Sequence, residues 1–172
     1  MTLEEAKAYL RLDGNGEDVL LARLIETATA LCEAFTGAVL VQREAIETVP
    51  AAREWQPLAH MPVVAITGVE ALADDGMGMP LPADAYAIDI DAAGMGWVRL
   101  IRPGAARRVR VTCRAGLAED AAGVPAPLAQ GVILLAAHLF DRREMPAAPP
   151  AAIAALWRPW RRVRLQEAER AT

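Results

Sequence analysis

Apolar side chains recur along this chain at two spacings, and the change from one to the other divides it. Between about Glu17 and Phe35, the residues Leu20, Leu21, Leu24, Ile25, Ala28, Leu31, Cys32 and Phe35 return at three- and four-residue steps. That spacing lays one apolar stripe along an amphipathic helix, and Gly37 stands where a C-terminal glycine would close it. Ahead of it, Thr2-Leu3-Glu4-Glu5 has the capping-box form, with Thr2 as N-cap and Glu5 three residues on. It predicts a short helix with Leu3, Ala6 and Leu10 on one face, stopped by the turn cluster Asp13-Gly14-Asn15-Gly16.

From Val39 the period falls to two. Val39-Leu40-Val41 leads into Gln42 to Val49, an edge-type strand broken by Pro50. Val63–Leu72 reads as a strand interrupted at Gly68, and Tyr86–Ile90, Trp97–Ile101 and Arg108–Cys113 alternate apolar with polar. The stretches 55–62 and 74–82 read as irregular, turn-rich connections. Short strands at this spacing predict a small antiparallel sheet or a pair of hairpins. Pro125 and Pro127 then open a third helix, Leu128 to about Glu144, with Ile133, Leu134, Ala137 and Phe140 on its buried face. Met145 to Pro150 is a breaker, Ala151–Trp157 a short helix, and an arginine-rich tail follows. The fold class predicted is α+β, a helical core with a β insertion at about 39–114. Residues 1–145 form one domain and 146–172 a C-terminal arm.

Composition refines this picture. The 172 residues are 54% hydrophobic with a mean hydropathy of +0.20, but much of that is alanine, which buries little area. No run reaches the ~18–20 apolar residues of a membrane span. The acidic start Met1-Thr2-Leu3-Glu4-Glu5 does not read as a secretory signal. Cys32 and Cys113 are too far apart for a zinc module or a disulfide framework, so a soluble cytosolic chain is expected. Charge is dipolar: residues 1–98 carry 5 basic and 16 acidic side chains, residues 99–172 carry 13 basic and 6 acidic. Such a chain favours head-to-tail self-association or a binding end, unless the two halves neutralise each other on folding.

The candidates for chemistry are sparse. His138 stands three residues before Asp141, a spacing more often of a helix-surface hydrogen bond than of a catalytic pair, and His60 lies in a proline-bounded loop. No HExxH, GxSxG or Walker-type loop occurs. Gly94-Met95-Gly96 leads into a strand and not a phosphate-binding helix, so it reads as a hairpin turn. Asp74-Asp75-Gly76 lacks the spacing of a calcium loop, and Asp89 with Asp91 reads as a solvated strand face. No catalytic residue, metal or cofactor is expected. Arg99, Arg102, Arg107, Arg108, Arg110 and Arg114 form an acid-free run that could meet nucleic-acid phosphates. Its alternation with Val109 and Val111 equally describes one solvated sheet face, with Trp97 as its only aromatic neighbour.

The tail is the strongest local anomaly. Trp157, Trp160, Val163 and Leu165 are large apolar groups after a proline-rich breaker, set among Arg158, Arg161, Arg162 and Arg164. Tryptophan with arginine is the pairing enriched in interface hot spots, so a docking arm is favoured over a tail folded back on its own core.

The segments Leu3–Asp13, Ala126–Phe140 with Arg142-Arg143-Glu144, and Ala154–Leu165, in this order, resemble the head–tail connector (adaptor) proteins of long-tailed bacteriophages and of gene transfer agents. The alanine- and arginine-rich composition would suit a gene transfer agent of a GC-rich alphaproteobacterium. The resemblance implies a non-enzymatic structural protein in a virion or virus-like particle, assembled in the host cytoplasm. It implies a ring of copies, usually twelve, beneath a portal protein, with a stopper or tail-side connector below and DNA passing non-specifically through the lumen. No membrane is involved. Carried onto this chain, it assigns portal contact to Trp157, Trp160, Arg161, Arg162, Val163, Arg164 and Leu165. The rival reading is a small DNA-binding regulator using the Arg99–Arg114 face.

Overall fold

The computed structural model describes residues 1–102, 104–142 and 148–162. The chain divides into two compact units, one of Met1–Gly37 with the described residues from Pro125 on, the other of Ala38–Val124.

In the first unit, α1 (Leu3–Leu10) begins with the capping box read from the sequence. The Glu5 N–H donates to Thr2 Oγ1 at 3.2 Å and the Thr2 N–H to Glu5 Oε2 at 2.6 Å. That second bond holds the Glu5 carboxyl below the usual glutamate range. Lys7 ties α1 to the turn and helix after it, its Nζ donating to Asn15 Oδ1 at 3.2 Å and lying 2.7 Å from Asp18 Oδ1. The second helix, α2 (Asp18–Thr36), ends at Gly37, whose φ of 70° lies in the left-handed region and whose N–H donates to Glu33 O at 2.8 Å.

The third helix, α3 (Ala126–Arg142), is packed by α1, α2 and α4 (Ala151–Trp157). It buries Leu128, Gly131, Val132, Ile133, Leu135, Ala136, Ala137 and Leu139, whereas Leu134 and Phe140, expected on the buried face, are half-buried. A helix apolar nearly all round and covered on several sides has no single inner stripe, so spacing alone misplaces its phase.

The second unit contains two antiparallel sheets. One has the order β1 (Arg43–Pro50), β7 (Arg108–Ala115), β3 (Val63–Leu72), β4 (Gly78–Pro80). The other has the order β2 (Gln56–Pro57), β6 (Gly96–Leu100), β5 (Tyr86–Ile90). The alternation of β7 is kept: Val109, Val111, Cys113 and Ala115 are buried while Arg108, Arg110, Thr112 and Arg114 face outward. Val98 and Leu100 of β6 join Val109, Val111 and Cys113 in one core with Ala45, Val49, Leu58, Val63 and Val69. The break at Gly68 is a register shift between β3 and β7. β1 lies at an edge, as expected, but begins at Arg43, Val41 making only an isolated bridge to Ala118. Strands β2 and β4 fall in stretches expected to be irregular. They are two and three residues long and contain prolines, so pairing with β6 and β3 forms them, not propensity.

Candidate docking interface

The sequence-predicted enzyme candidates are positioned as structural groups. His60 Nδ1 lies 2.7 Å from Glu47 Oε1, and the Glu47 carboxylate also accepts the backbone N–H of Ala59 (2.5 Å) and of His60 (2.7 Å). Glu47 sits on the inward row of β1 with its side chain 8% exposed, so it pins the loop before β3 from inside. Spacing carries no sign of this arrangement, since an acid on the inner face of a strand reads as a solvated position. Among the described residues no hydrogen bond or ion pair joins His138 to Asp141.

Asp75 Oδ1 accepts the Met77 N–H at 2.9 Å, a turn contact. Asp91 closes the β5–β6 hairpin, its Oδ1 accepting from Ala93 and Met95 and its Oδ2 from Trp97 Nε1 at 3.3 Å. Among the described residues no group of three or more His, Cys, Asp or Glu is placed to hold a metal. Burial pushes the Cys32 thiol up to about 12, with Glu33 adding to it, and the Cys113 thiol to about 11, with Glu47 adding to it. Both thiols are fully buried.

The arginine run divides. Arg108, Arg110 and Arg114 lie on the outward face of β7, across from Glu70 of β3 and Glu44 of β1. Arg110 Nη1 lies 3.2 Å from Glu70 Oε2, and its Nη2 donates to Gly76 O at 3.3 Å. Arg102 pairs with Asp84 at 2.8 Å, and Arg99 belongs to the other sheet, its guanidinium 4.8 Å from the ring centre of Trp55. Three of the six are thus engaged and Arg114 stands opposite Glu44, which argues against one continuous phosphate-binding face. Trp55, which has no role in the sequence pattern, is the aromatic partner that Arg99 finds.

In the tail, Trp157 is fully buried. Its indole lies against the α3 backbone at Gly131, where a Cβ would collide with Nε1, Cε2 and Cδ1 of the ring. A helix–helix approach this close requires glycine, at a mid-helix position where glycine otherwise costs about 1 kcal/mol relative to alanine. Phe35 of α2 tilts against the same ring with centroids 5.8 Å apart. After the 3-10 turn Arg158–Trp160, the Arg161 guanidinium lies 5.7 Å from the Phe35 ring centre. The Arg162 N–H then donates to Thr36 O at 2.8 Å, at the C-terminus of α2. Through Arg162 the tail therefore lies on the helical unit. Trp160 stays 36% exposed, with Arg158 and Arg161 exposed beside it. Val163, Arg164 and Leu165 lie outside the described residues.

Comparison with known proteins adds a family likeness and a fold likeness. Residues 1–61 match the model of a family described as phage gp6-like head–tail connector protein. No curated protein matches the chain. Among solved structures, a chain of the "Neck of empty GTA particle computed with C6 symmetry" is similar with a TM-score of 0.78 at 26% identity, covering 98% of this chain and 92% of that one. A chain of the "Virion of native gene transfer agent (GTA) particle" gives a TM-score of 0.76 at 26% identity over the same shares. One of the "Neck of native GTA particle computed with C12 symmetry" gives 0.74 at 25%, covering 96% and 91%. No described helix is long and apolar enough to cross a membrane. The first 61 residues thus resemble the head–tail connector family, and the fold, matched nearly end to end, is that of a component of gene transfer agent necks.

Proposed function

We propose that this protein is the head–tail adaptor of a gene transfer agent or tailed phage. In this reading copies form a ring, of twelve members, beneath the portal at the head–tail interface. A tail-side connector or stopper binds below, and DNA passes through the lumen without sequence-specific contact. The observation that carries the reading is the likeness over 98% of the chain to a component of a gene transfer agent neck. The C12 and C6 symmetries of those necks support a closed ring.

Portal docking falls to the end of the tail. Trp157 is committed to the helical unit, so its role is to anchor. Trp160 and Arg161 are exposed beside that anchor, and the reading assigns portal contact to them together with Arg162, Val163, Arg164 and Leu165. An exposed tryptophan among arginines has the composition of an interface centre.

Sedimentation velocity of the chain with its cognate portal, beside a chain stopped at Arg162, tests this. The shortened chain keeps α4 and its seat on Gly131, so a docking loss cannot be ascribed to an unfolded core. Co-sedimentation by the full chain alone places docking beyond Arg162. Co-sedimentation by both moves the interface onto the folded body, and association by neither overturns the adaptor reading.

A further inference from the structure

The turn between α1 and α2 carries a reactive dipeptide. Asn15 is the chain's only asparagine, and Gly16 follows it. An asparagine in this position reacts with its own backbone: the next nitrogen attacks the side-chain amide, and glycine has no Cβ to crowd the approach. A folded chain permits or forbids the step by what it does with three groups, the nucleophile, the leaving group and the carbonyl.

The nucleophile is uncommitted. Among the described residues the Gly16 N–H donates to no acceptor, and residues 13–17 are all exposed. A Cβ built on Gly16 would meet nothing within 4 Å, so the attack has open space around it. The turn lies outside both helices, and the Asn15 carbonyl is held by one long bond, from the Asp18 N–H at 3.3 Å. A single such bond costs little to open.

The leaving group is free as well, since among the described residues Asn15 Nδ2 has no hydrogen-bond partner, the side chain's one bond being to its oxygen. That bond prepares the carbonyl. Lys7 Nζ donates to Asn15 Oδ1 at 3.2 Å, at the atom where negative charge gathers as the amide is attacked. Asp18, 2.7 Å from the same nitrogen, keeps it in place. The two Asp-Gly pairs of the chain are built differently. Asp13 and Asp75 present carboxylates, which are poor electrophiles, and Asp75 Oδ1 is already occupied by the Met77 N–H.

We infer that Asn15 is a site of hydrolytic modification, deamidating through a cyclic imide while Lys7 holds the developing oxyanion. The Gly16 nitrogen gives its proton to solvent base and bonds to Asn15 Cγ. The Cγ–Nδ2 bond breaks, and Nδ2 takes a proton from water and leaves as ammonia. Water then opens the ring at either carbonyl, so that aspartate or isoaspartate replaces the asparagine, with no oxidant or reductant involved. The product sets a second carboxylate beside Lys7 and ahead of α2, whose N-terminus favours negative charge. The isoaspartate form also adds a methylene to the backbone that enters that helix.

Peptide mass of the full-length chain, held at mildly alkaline pH, tests this. The expected result is a Leu12–Arg23 tryptic peptide that gains, with time, the mass difference between an amide and an acid. It should separate into two products and form faster as pH rises, because the attacking nitrogen must lose its proton. Lys7→Met should slow the gain about three- to tenfold, as for loss of one exposed hydrogen bond to developing charge. Loosening of the turn by that variant would act the other way, so a slower gain reports the oxyanion contact. Gly16→Val should nearly abolish the gain by crowding the nitrogen. A free peptide of the same sequence sets the reference: conversion there with none in the folded chain overturns the site. An unchanged rate in Lys7→Met overturns the role of Lys7, and an unchanged rate in Gly16→Val overturns the cyclic route.

Discussion

The helical unit and the β unit use the same two residue types to opposite ends. At the α3–α4 seam, Trp157 is sunk onto the backbone of Gly131 while Arg161 covers Phe35 from outside. On the three-stranded sheet, Trp55 and Trp97 lie on the outer face with Arg99 over one of them. Tryptophan and arginine together therefore do not announce a binding site. What decides is the residue opposite: a glycine without a side chain admits the indole into the core, and an indole that meets no such gap stays at the sheet surface.

The sharpest way to break that contrast is to truncate both kinds of tryptophan. Trp157→Ala should cost about 3–5 kcal/mol of stability, the range for a large core aromatic, whereas Trp55→Ala should cost less than about 1 kcal/mol, as for an exposed side chain. Urea denaturation of the two variants reads both, and equal losses would erase the distinction. Next in size, Gly131→Ala should destabilise by about 1–3 kcal/mol through overpacking. Combining it with Trp157→Leu should recover part of that loss, because the smaller side chain vacates the space the new methyl needs.

The β unit has its own committed polar group in Glu47. Glu47→Ala leaves the Ala59 and His60 N–H groups without their acceptor and should cost about 1–3 kcal/mol, read in the same urea titration. Each unit also holds one buried thiol, Cys32 in the helices and Cys113 in the sheet. An unfolded thiol ionises near pH ~8.5, while the folded ones hold their protons to about 12 and about 11. The unfolded state thus binds fewer protons above that pH, so stability falls as pH rises through ~9 and beyond. Cys32→Ala and Cys113→Ala should each flatten the alkaline limb of a melting-temperature profile, and the unit whose variant flattens it more contributes more.

The smallest effect belongs to α1. Thr2→Ala should cost about 1 kcal/mol or less. The Glu5 contribution, present at neutral pH, should fade as pH falls below the ordinary glutamate range, read as helicity lost on acid titration.

Much of the fold is legible in the sequence because local pattern and tertiary demand coincide. The stripe of α2 with its closing Gly37, the capping box at Thr2 and the alternation of β7 each carry their own signal. The short strands β2 and β4 do not, because their structure resides in the partner strand. By pattern Trp157 groups with the docking tail, because its burial depends on a glycine in another helix, and a lone glycine in an apolar run reads as a mere weakness. The Glu47 pin and the Trp55–Arg99 stack are hidden likewise, each joining residues more than ten positions apart.

The bond from Arg162 to the Thr36 carbonyl has a mechanical consequence. A force drawn along the residues beyond Arg162 meets that bond at the C-terminus of α2 before it reaches α4. The load enters the unit through the end of α2 and is shared along that rod. The α4 helix is thereby spared the peeling, one contact after another, that would lift a short helix from its seat at far lower tension.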